Sequence, residues 1–221
     1  DYIVANLLNG TSIPEASKDW PLRLVGPSVT GSTSISQIVR IELVPATGKP
    51  RELTDIAGHW AENNIKRLFD LGVVTGRPDG TFKPNDNITR AEFAAILVRA
   101  FELEQQGDKV FTDTATHWAR EIISTAAYHG IVSGYDQNTF GPNDPITREQ
   151  MAAMVVRAAQ LVPVREAPTF SDNASISPWA KETVAKVTAS GIMSGYPDGT
   201  FRPQGKATRA EAATVVVNLL G

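Results

Sequence analysis

Thr81-Phe82-Lys83-Pro84-Asn85-Asp86-Asn87-Ile88-Thr89-Arg90-Ala91-Glu92 decides the fold, because its skeleton recurs twice more along the chain. Thr-Phe returns at Thr139-Phe140 and Thr200-Phe201, a proline follows at Pro142 and Pro203, and Thr-Arg follows at Thr147-Arg148 and Thr208-Arg209, at identical spacing. Upstream of each stands a tryptophan–alanine pair, Trp60-Ala61, Trp118-Ala119 and Trp179-Ala180, with the tryptophans 58 and 61 residues apart. Twelve residues after each Trp comes a glycine, Gly72, Gly130 or Gly191, and four later a second, Gly76, Gly134 or Gly195. An aspartate opens each copy, at Asp55, Asp113 and Asp172. Agreement of this kind marks a chain built from one repeated unit.

Each copy reads as helix, loop, helix, which makes the chain mainly α. From Trp60 the apolar residues Ile65, Leu68 and Phe69 recur at helical spacing, and Gly72 stands where a helix stop belongs. Pro78-Asp79-Gly80 supplies turn chemistry. A second helix from Thr89 carries Phe93, Ile96, Leu97, Ala100 and Phe101, and the third copy ends in Val215, Val216, Val217, Leu219 and Leu220, a pattern that predicts burial on several faces. The copies span about 53–102, 111–161 and 170–221, joined by polar connectors at 102–109 and 162–167. A unit of about 50 residues buries too little apolar surface to be secure alone. The three are therefore expected to pack their second helices around a common centre, as one domain over 51–221.

Residues 1–50 differ. Leu22-Arg23-Leu24-Val25 and Ile38-Val39-Arg40-Ile41-Glu42-Leu43-Val44 read as strands between turn-rich stretches, with a linker at 45–50. So small a β-rich segment is expected to be the tail of an upstream domain or an edge packed on the repeats. The start at Asp1-Tyr2-Ile3-Val4 reads as a processed or excised piece.

Composition narrows the function classes. A hydrophobic fraction of 42%, a charged fraction of 20% and a net charge of −3 describe a folding chain without the basic excess of a nucleic-acid or anionic-membrane surface. With no cysteine, thiolate metal sites and cysteine nucleophiles are excluded. No apolar stretch approaches the ~20 residues of a membrane span. His59, His117 and His129 show no metal-triad spacing, the Asp-Gly turns lack the ligand pattern of a calcium loop, and no phosphate-binding glycine loop or catalytic motif is visible. The expectation is a non-catalytic module without cofactor or metal.

The candidate site residues follow from the repeat. Thr89-Arg90-Ala91-Glu92 fits a capping box, repeated at Thr208-Arg209-Ala210-Glu211 and, with Gln, at Thr147-Arg148-Glu149-Gln150. Capping explains the threonine and the Glu or Gln but not Arg90, Arg148 and Arg209, since a cation in the first turn opposes the helix dipole. Two readings stand: the arginines grip an external anion beside free helix N–H groups, or they pair internally, with Asp86 or Asp144 for example. Trp60, Trp118 and Trp179 are either packing residues or stacking walls for a sugar. Asp55, Asp113 and Asp172 either cap the first helix or accept from sugar hydroxyls. Gly72, Gly130 and Gly191 either stop that helix or let a ligand approach the backbone.

Residues 53–221, roughly three quarters of the chain, closely resemble three tandem surface-layer homology (SLH) motifs. The likeness rests on Leu53-Thr54-Asp55 with His59-Trp60-Ala61, on Phe111-Thr112-Asp113 with His117-Trp118-Ala119 and on Phe170-Ser171-Asp172 with Pro178-Trp179-Ala180, each with its glycine pair, Thr-Phe-x-Pro and Thr-Arg. The resemblance implies a pseudo-threefold trimer within one chain, monomeric, with grooves between neighbouring motifs. It implies a secreted module at the cell wall or S-layer that anchors an exported protein non-covalently, by binding a secondary cell-wall polysaccharide whose pyruvyl carboxylate meets Arg90, Arg148 and Arg209. The preceding Asp and Trp and the first loop glycine would line the grooves. Copy two departs at Glu149-Gln150 and with His129 before its glycine, which speaks against equal use of its groove, and copy three has Gln204-Gly205 where the others have Asn-Asp. Trp20 to Leu43 bears a short likeness to the closing strands of a molybdopterin-type oxidoreductase domain, from which no cofactor is inferred.

Three functions are thereby set side by side: wall anchoring through an acidic glycan, delivery of a larger surface enzyme, and a structural lattice protein with protein partners. On the first, replacing the three arginines by alanine is expected to abolish wall binding with the fold intact.

Overall fold

The second helix of each repeat begins where its capping box stands. The computed structural model describes residues 22–24, 41–43, 52–164, 166 and 168–221. In it the six helices are α1 (Glu62–Asp70), α2 (Arg90–Ala100), α3 (Arg120–Tyr128), α4 (Arg148–Ala158), α5 (Lys181–Ala189) and α6 (Arg209–Leu220). Thr89, Thr147 and Thr208 are the N-caps of α2, α4 and α6, and all three boxes close in both directions. The Thr89 hydroxyl accepts from the Glu92 N–H, and Glu92 Oε2 accepts from the Thr89 N–H.

The first helices start later than expected. α1 opens at Glu62, and α3 and α5 at the equivalent positions, with Ala61, Ala119 and Ala180 as N-caps that offer no side-chain bond. Trp60 therefore stands in the turn before α1. In that turn His59 Nδ1 accepts from the Ala61 N–H at 3.2 Å, and in the third repeat Pro178–Ala180 form a 3-10 turn instead. α1 ends as predicted at Gly72, φ +70°: Gly72 N–H donates to Phe69 O and Val73 N–H to Leu68 O, the paired bonds of a Schellman ending.

The chain divides into two units, 1–52 and 53–221. In the first, β1 (Leu22–Leu24) pairs antiparallel with β2 (Ile41–Leu43), Leu22 opposite Leu43. The rest of the expected strands, and the oxidoreductase likeness, lie outside the described residues.

In the second unit the dominant helix packing runs between repeats. α3 packs on α2, α5 on α4 and α1 on α6, while α2 also touches α4 and α6. Each repeat's first helix thus covers the second helix of the repeat before it. α2, α4 and α6 are buried over most of their surface, which is why Phe93, Ala94, Ile96 and Leu97 of α2 and Val215, Val216 and Val217 of α6 are all inside. Backbone hydrogen bonds run the same way around. Ile88 N–H donates to Ala207 O, Ala207 N–H to Ile146 O and Ile146 N–H to Ile88 O, each at 3.0 Å. The three loops thereby close a ring of bonds just ahead of the three capping boxes.

Candidate functional site

Each loop is shaped from beneath by its aspartate. Asp55 accepts from the N–H groups of Phe82 at 2.7 Å and Lys83 at 2.8 Å. Asp113 does the same for Phe140 and Gly141, and Asp172 for Phe201 and Arg202. Lys83 and Arg202 sit at φ +59° and +55°, a left-handed conformation costly for a side-chain-bearing residue, and the carboxylate is what holds it. The aspartates therefore cap neither first helix, contrary to the expected alternative; they are loop clamps. Burial pushes the Asp55 carboxyl up, but the N–H bonds from Phe82 and Lys83 outweigh it and hold the group below the usual aspartate value.

The clamp turns the phenylalanine ring inward and its carbonyl toward another repeat. Phe82, Phe140 and Phe201 are fully buried, and each carbonyl oxygen accepts from the arginine Nε of another repeat. Arg90 Nε donates to Phe140 O at 2.9 Å, Arg148 Nε to Phe201 O at 2.8 Å and Arg209 Nε to Phe82 O at 2.8 Å. Arg90 Nη2 reaches Ser133 O and Arg148 Nη2 reaches Ser194 O. The guanidinium groups also lie against rings: Tyr135 and Phe140 for Arg90, Tyr196 and Phe201 for Arg148, Phe82 for Arg209. Their residues are only 6%, 5% and 9% exposed.

This arrangement corrects the electrostatic premise drawn from the sequence. The arginines do not face their own helix ends; they cross a seam, and carbonyl oxygens and aromatic faces of the next repeat compensate the cation. The helix N–H groups are not free either. Arg90 and Ala91 donate to Asp144 O and Pro142 O, Arg148 and Glu149 to Gly205 O and Pro203 O, and Arg209 and Ala210 to Asp86 O and Pro84 O. The internal pairing is real, but its partners are not Asp86 or Asp144. Arg148 Nη1 meets Glu211 Oε1 at 3.1 Å and Arg209 Nη1 meets Glu92 Oε1 at 3.0 Å. Burial pulls the Arg90 and Arg209 guanidinium groups below the ordinary arginine value, opposed chiefly by Tyr135 and Asp144 for the first and by Glu92 for the second. Both keep their charge.

The tryptophans are exposed. Trp60, Trp118 and Trp179 present 64%, 60% and 55% of their surface, so the packing reading is overturned. His59 and His117 lie beside Trp60 and Trp118 with ring centroids 5.4 Å apart, and their Nε2 atoms bond Asn85 and Asn143 Oδ1. Asn143 belongs to the loop that takes the N–H groups of Arg90 and Ala91, and Asn85 to the loop that takes those of Arg209 and Ala210. Trp118 is thereby tied to the Arg90 seam and Trp60 to the Arg209 seam. In the third repeat, where proline replaces the histidine, Glu149 accepts from the Ser177 N–H and hydroxyl and ties Trp179's turn to the Arg148 seam.

The first glycines, Gly72, Gly130 and Gly191, are at φ +69° to +72° with open space where a Cβ would stand, so conformation alone requires them. The second glycines are the close approaches: a Cβ on Gly134 would lie 2.4 Å from Asp136 O and 2.6 Å from the Phe111 ring. Two concavities elsewhere, about 90 Å³ beside Leu103 and Ile122 and about 200 Å³ beside Lys181 and Val184, hold none of the singled-out residues. The exposed tryptophans beside the seams lie on the surface, suited to an extended ligand rather than an engulfed one. In the sequence Glu92, Gln150 and Glu211 were read as caps and not as seam residues, and Tyr135 and Tyr196 were missed. The repeat held the signal, since each recurs at one place in the unit or breaks it.

A family model described as the S-layer homology domain matches residues 52–94, 110–152 and 169–213. The chain belongs to the S-layer homology domain family. It is 37% identical over 177 residues to an amylopullulanase of Thermoanaerobacterium thermosulfurigenes, covering 77% of this chain and 10% of that protein. It is 30% identical over 196 residues to a surface-layer 125 kDa protein of Lysinibacillus sphaericus, covering 86% and 17%, and 30% identical over 194 residues to the S-layer protein EA1 of Bacillus anthracis, covering 85% and 22%. The chain thus spans between a tenth and under a quarter of these relatives. Membership assigns it to the secreted modules of the cell wall or S-layer, whose role is anchoring. Among the described residues no helix is long and apolar enough to cross a membrane.

Proposed function

We propose that this chain holds an exported protein on a bacterial wall by binding an acidic, pyruvylated secondary cell-wall polysaccharide along the seams of an intrachain pseudo-threefold trimer. The observation that carries the reading is the set of three exposed tryptophans, each tied to a seam that contains an arginine. A large apolar ring more than half exposed at three equivalent places gains little from packing and would offer a shelf for the C–H face of a sugar. Trp60, Trp118 and Trp179 would stack the sugar rings, and Arg90, Arg148 and Arg209 would set the positive potential for the pyruvyl carboxylate. Asp55, Asp113, Asp172, Gly72, Gly130 and Gly191 would act through the loops and turns they shape. The closed ring of Ile88, Ile146 and Ala207 bonds supports the trimer. The short share of each relative that the chain spans supports a delivery role within a larger protein, catalytic in some cases, and the enzyme-named relatives favour that second reading.

The test is a pull-down with purified wall polysaccharide before and after removal of its pyruvyl groups. The triple variant Trp60→Ala, Trp118→Ala, Trp179→Ala should lose binding while melting near the parent temperature, because exposed positions each cost within about 0.5 kcal/mol. Full retention of wall binding by that variant would sink the proposal.

A further inference from the structure

The three seams are not chemically equal, and one side chain makes the difference. Glu92 and Glu211 each use Oε2 to accept from their own N-cap N–H, leaving Oε1 for the arginine that crosses the seam. In the second repeat that position is Gln150. Its Oε1 accepts from the Thr147 N–H at 3.1 Å, so its other terminal atom is an NH2 that can only donate. Arg90, which crosses to this repeat, consequently has no carboxylate within 4.0 Å among the described residues. Its Nε and Nη2 are held by Phe140 O and Ser133 O; its Nη1 meets no protein acceptor among the described residues, yet is not sealed from water. Arg148, by contrast, has all three nitrogens engaged and its charge balanced. Arg209 has its charge balanced by Glu92.

We propose that the seam between the first and second repeats, built from Arg90, Gln150, Tyr135 and Trp118, is the one that takes the carboxylate of the wall glycan, and that the other two seams are self-filled by Glu211 and Glu92. This rests on the acidic-glycan reading above. The incoming carboxylate does for Arg90 what Oε1 of Glu211 does for Arg148, and the Gln150 NH2 adds a donor where a glutamate would repel. Trp118, tied to this seam through His117 and Asn143, offers its exposed face to the sugar ring. The acids whose charge Arg90 feels are Asp144, which is exposed and interacts with the Tyr135 hydroxyl, and the loop clamp Asp113; neither forms an ion pair with it.

The discriminating experiment titrates the whole chain calorimetrically with a methyl glycoside bearing one pyruvyl ketal, and with its twin lacking the ketal. The parent should bind one pyruvylated sugar per chain and the twin at least about tenfold more weakly. Gln150→Glu supplies the missing oxygen, so it should abolish binding without lowering the melting temperature. Glu211→Gln keeps the cap, as Gln150 already does, and gives the Arg148 seam the composition of the Arg90 seam; it should raise the stoichiometry to two. A parent that binds two or three sugars, an unchanged Gln150→Glu, or a Glu211→Gln that still binds one overturns the seam assignment while leaving the glycan reading standing. A parent that does not distinguish the sugar from its twin overturns both. If Gln150→Glu fails to fold, the stoichiometries of the parent and Glu211→Gln decide alone.

Discussion

Arg148→Ala removes the most heavily committed side chain of the repeat unit. Its Nε, Nη1 and Nη2 bond Phe201 O at 2.8 Å, Glu211 Oε1 at 3.1 Å and Ser194 O at 2.7 Å, with the side chain 6% exposed and Glu211 15% exposed. Truncation strands two loop carbonyls and a largely buried carboxylate at once. Breaking a buried pair from one side costs about 3–5 kcal/mol, because the remaining charge loses its partner. Glu211 keeps the Tyr196 hydroxyl and the Thr208 N–H, which holds the figure inside that range rather than above it. At about 2–4 °C per kcal/mol for a domain of this size, the melting temperature should fall by roughly 6–20 °C. Thermal melts followed by circular dichroism measure it, with urea titration as the check on two-state behaviour. Arg148→Met with Glu211→Gln should recover part of the loss, since the stranded charge is gone. An Arg148→Ala protein melting within about 2 °C of the parent would refute the reasoning. It would mean that the guanidinium contributes little to the fold, as the sequence alone suggested when it predicted that the arginines are dispensable for folding.

Two further outcomes probe the loops. Gly134→Ala should cost about 1–3 kcal/mol in a urea titration, because the new Cβ meets backbone on two sides, Asp136 O at 2.4 Å and Thr139 O at 2.5 Å, whereas Gly72→Ala enters open space and costs about 1 kcal/mol for its φ of +70°; equal losses would contradict the geometry. Asp55 has its folded pKa held below the unfolded value, so its contribution is present above about pH 4 and disappears as the pH falls through the folded pKa. The stability gap between the parent and Asp55→Asn should therefore narrow on acidification below pH ~4, and a gap that stays constant down to pH ~2.5 would remove Asp55 as a clamp.

The elements were legible because their signals are local. A capping box is four consecutive residues, and Thr89, Thr147 and Thr208 are N-caps as expected. Gly72 stops its helix through one dihedral angle. What failed was the placement of side chains whose partners lie 27 or more residues away. The dipole argument for Arg90 was sound for an isolated helix, but Phe140 O and Ser133 O, 50 and 43 residues on, offset the cost. Asp55 sits close enough to Trp60 in sequence to suggest a cap for α1, yet its partners are the N–H groups of Phe82 and Lys83. The tryptophans misled in the opposite direction. Their size and their place beside a helix start both favour burial, and nothing local states that the first helix begins two residues later and leaves the ring outside.

The unit that repeats in the sequence is consequently not the unit that packs. A single copy carries an arginine and, close to it in sequence, the carbonyl, the ring and the Glu or Gln that meet the arginine of another copy, and no copy's arginine meets its own set. α1 on α6 and the Arg209–Glu92 pair are contacts between the first and last copies, so an isolated pair of repeats leaves one arginine and one loop unmatched. Completion requires the third copy, which links assembly to folding. It also explains how one substitution can act at one place only. Each receiving set is supplied once, so Gln150 changes the Arg90 seam and no other, while the cap it shares with Glu92 and Glu211 stays closed. A chain built from one repeated unit thereby has one seam whose arginine lacks a paired carboxylate among the described residues, without altering the helices that build it.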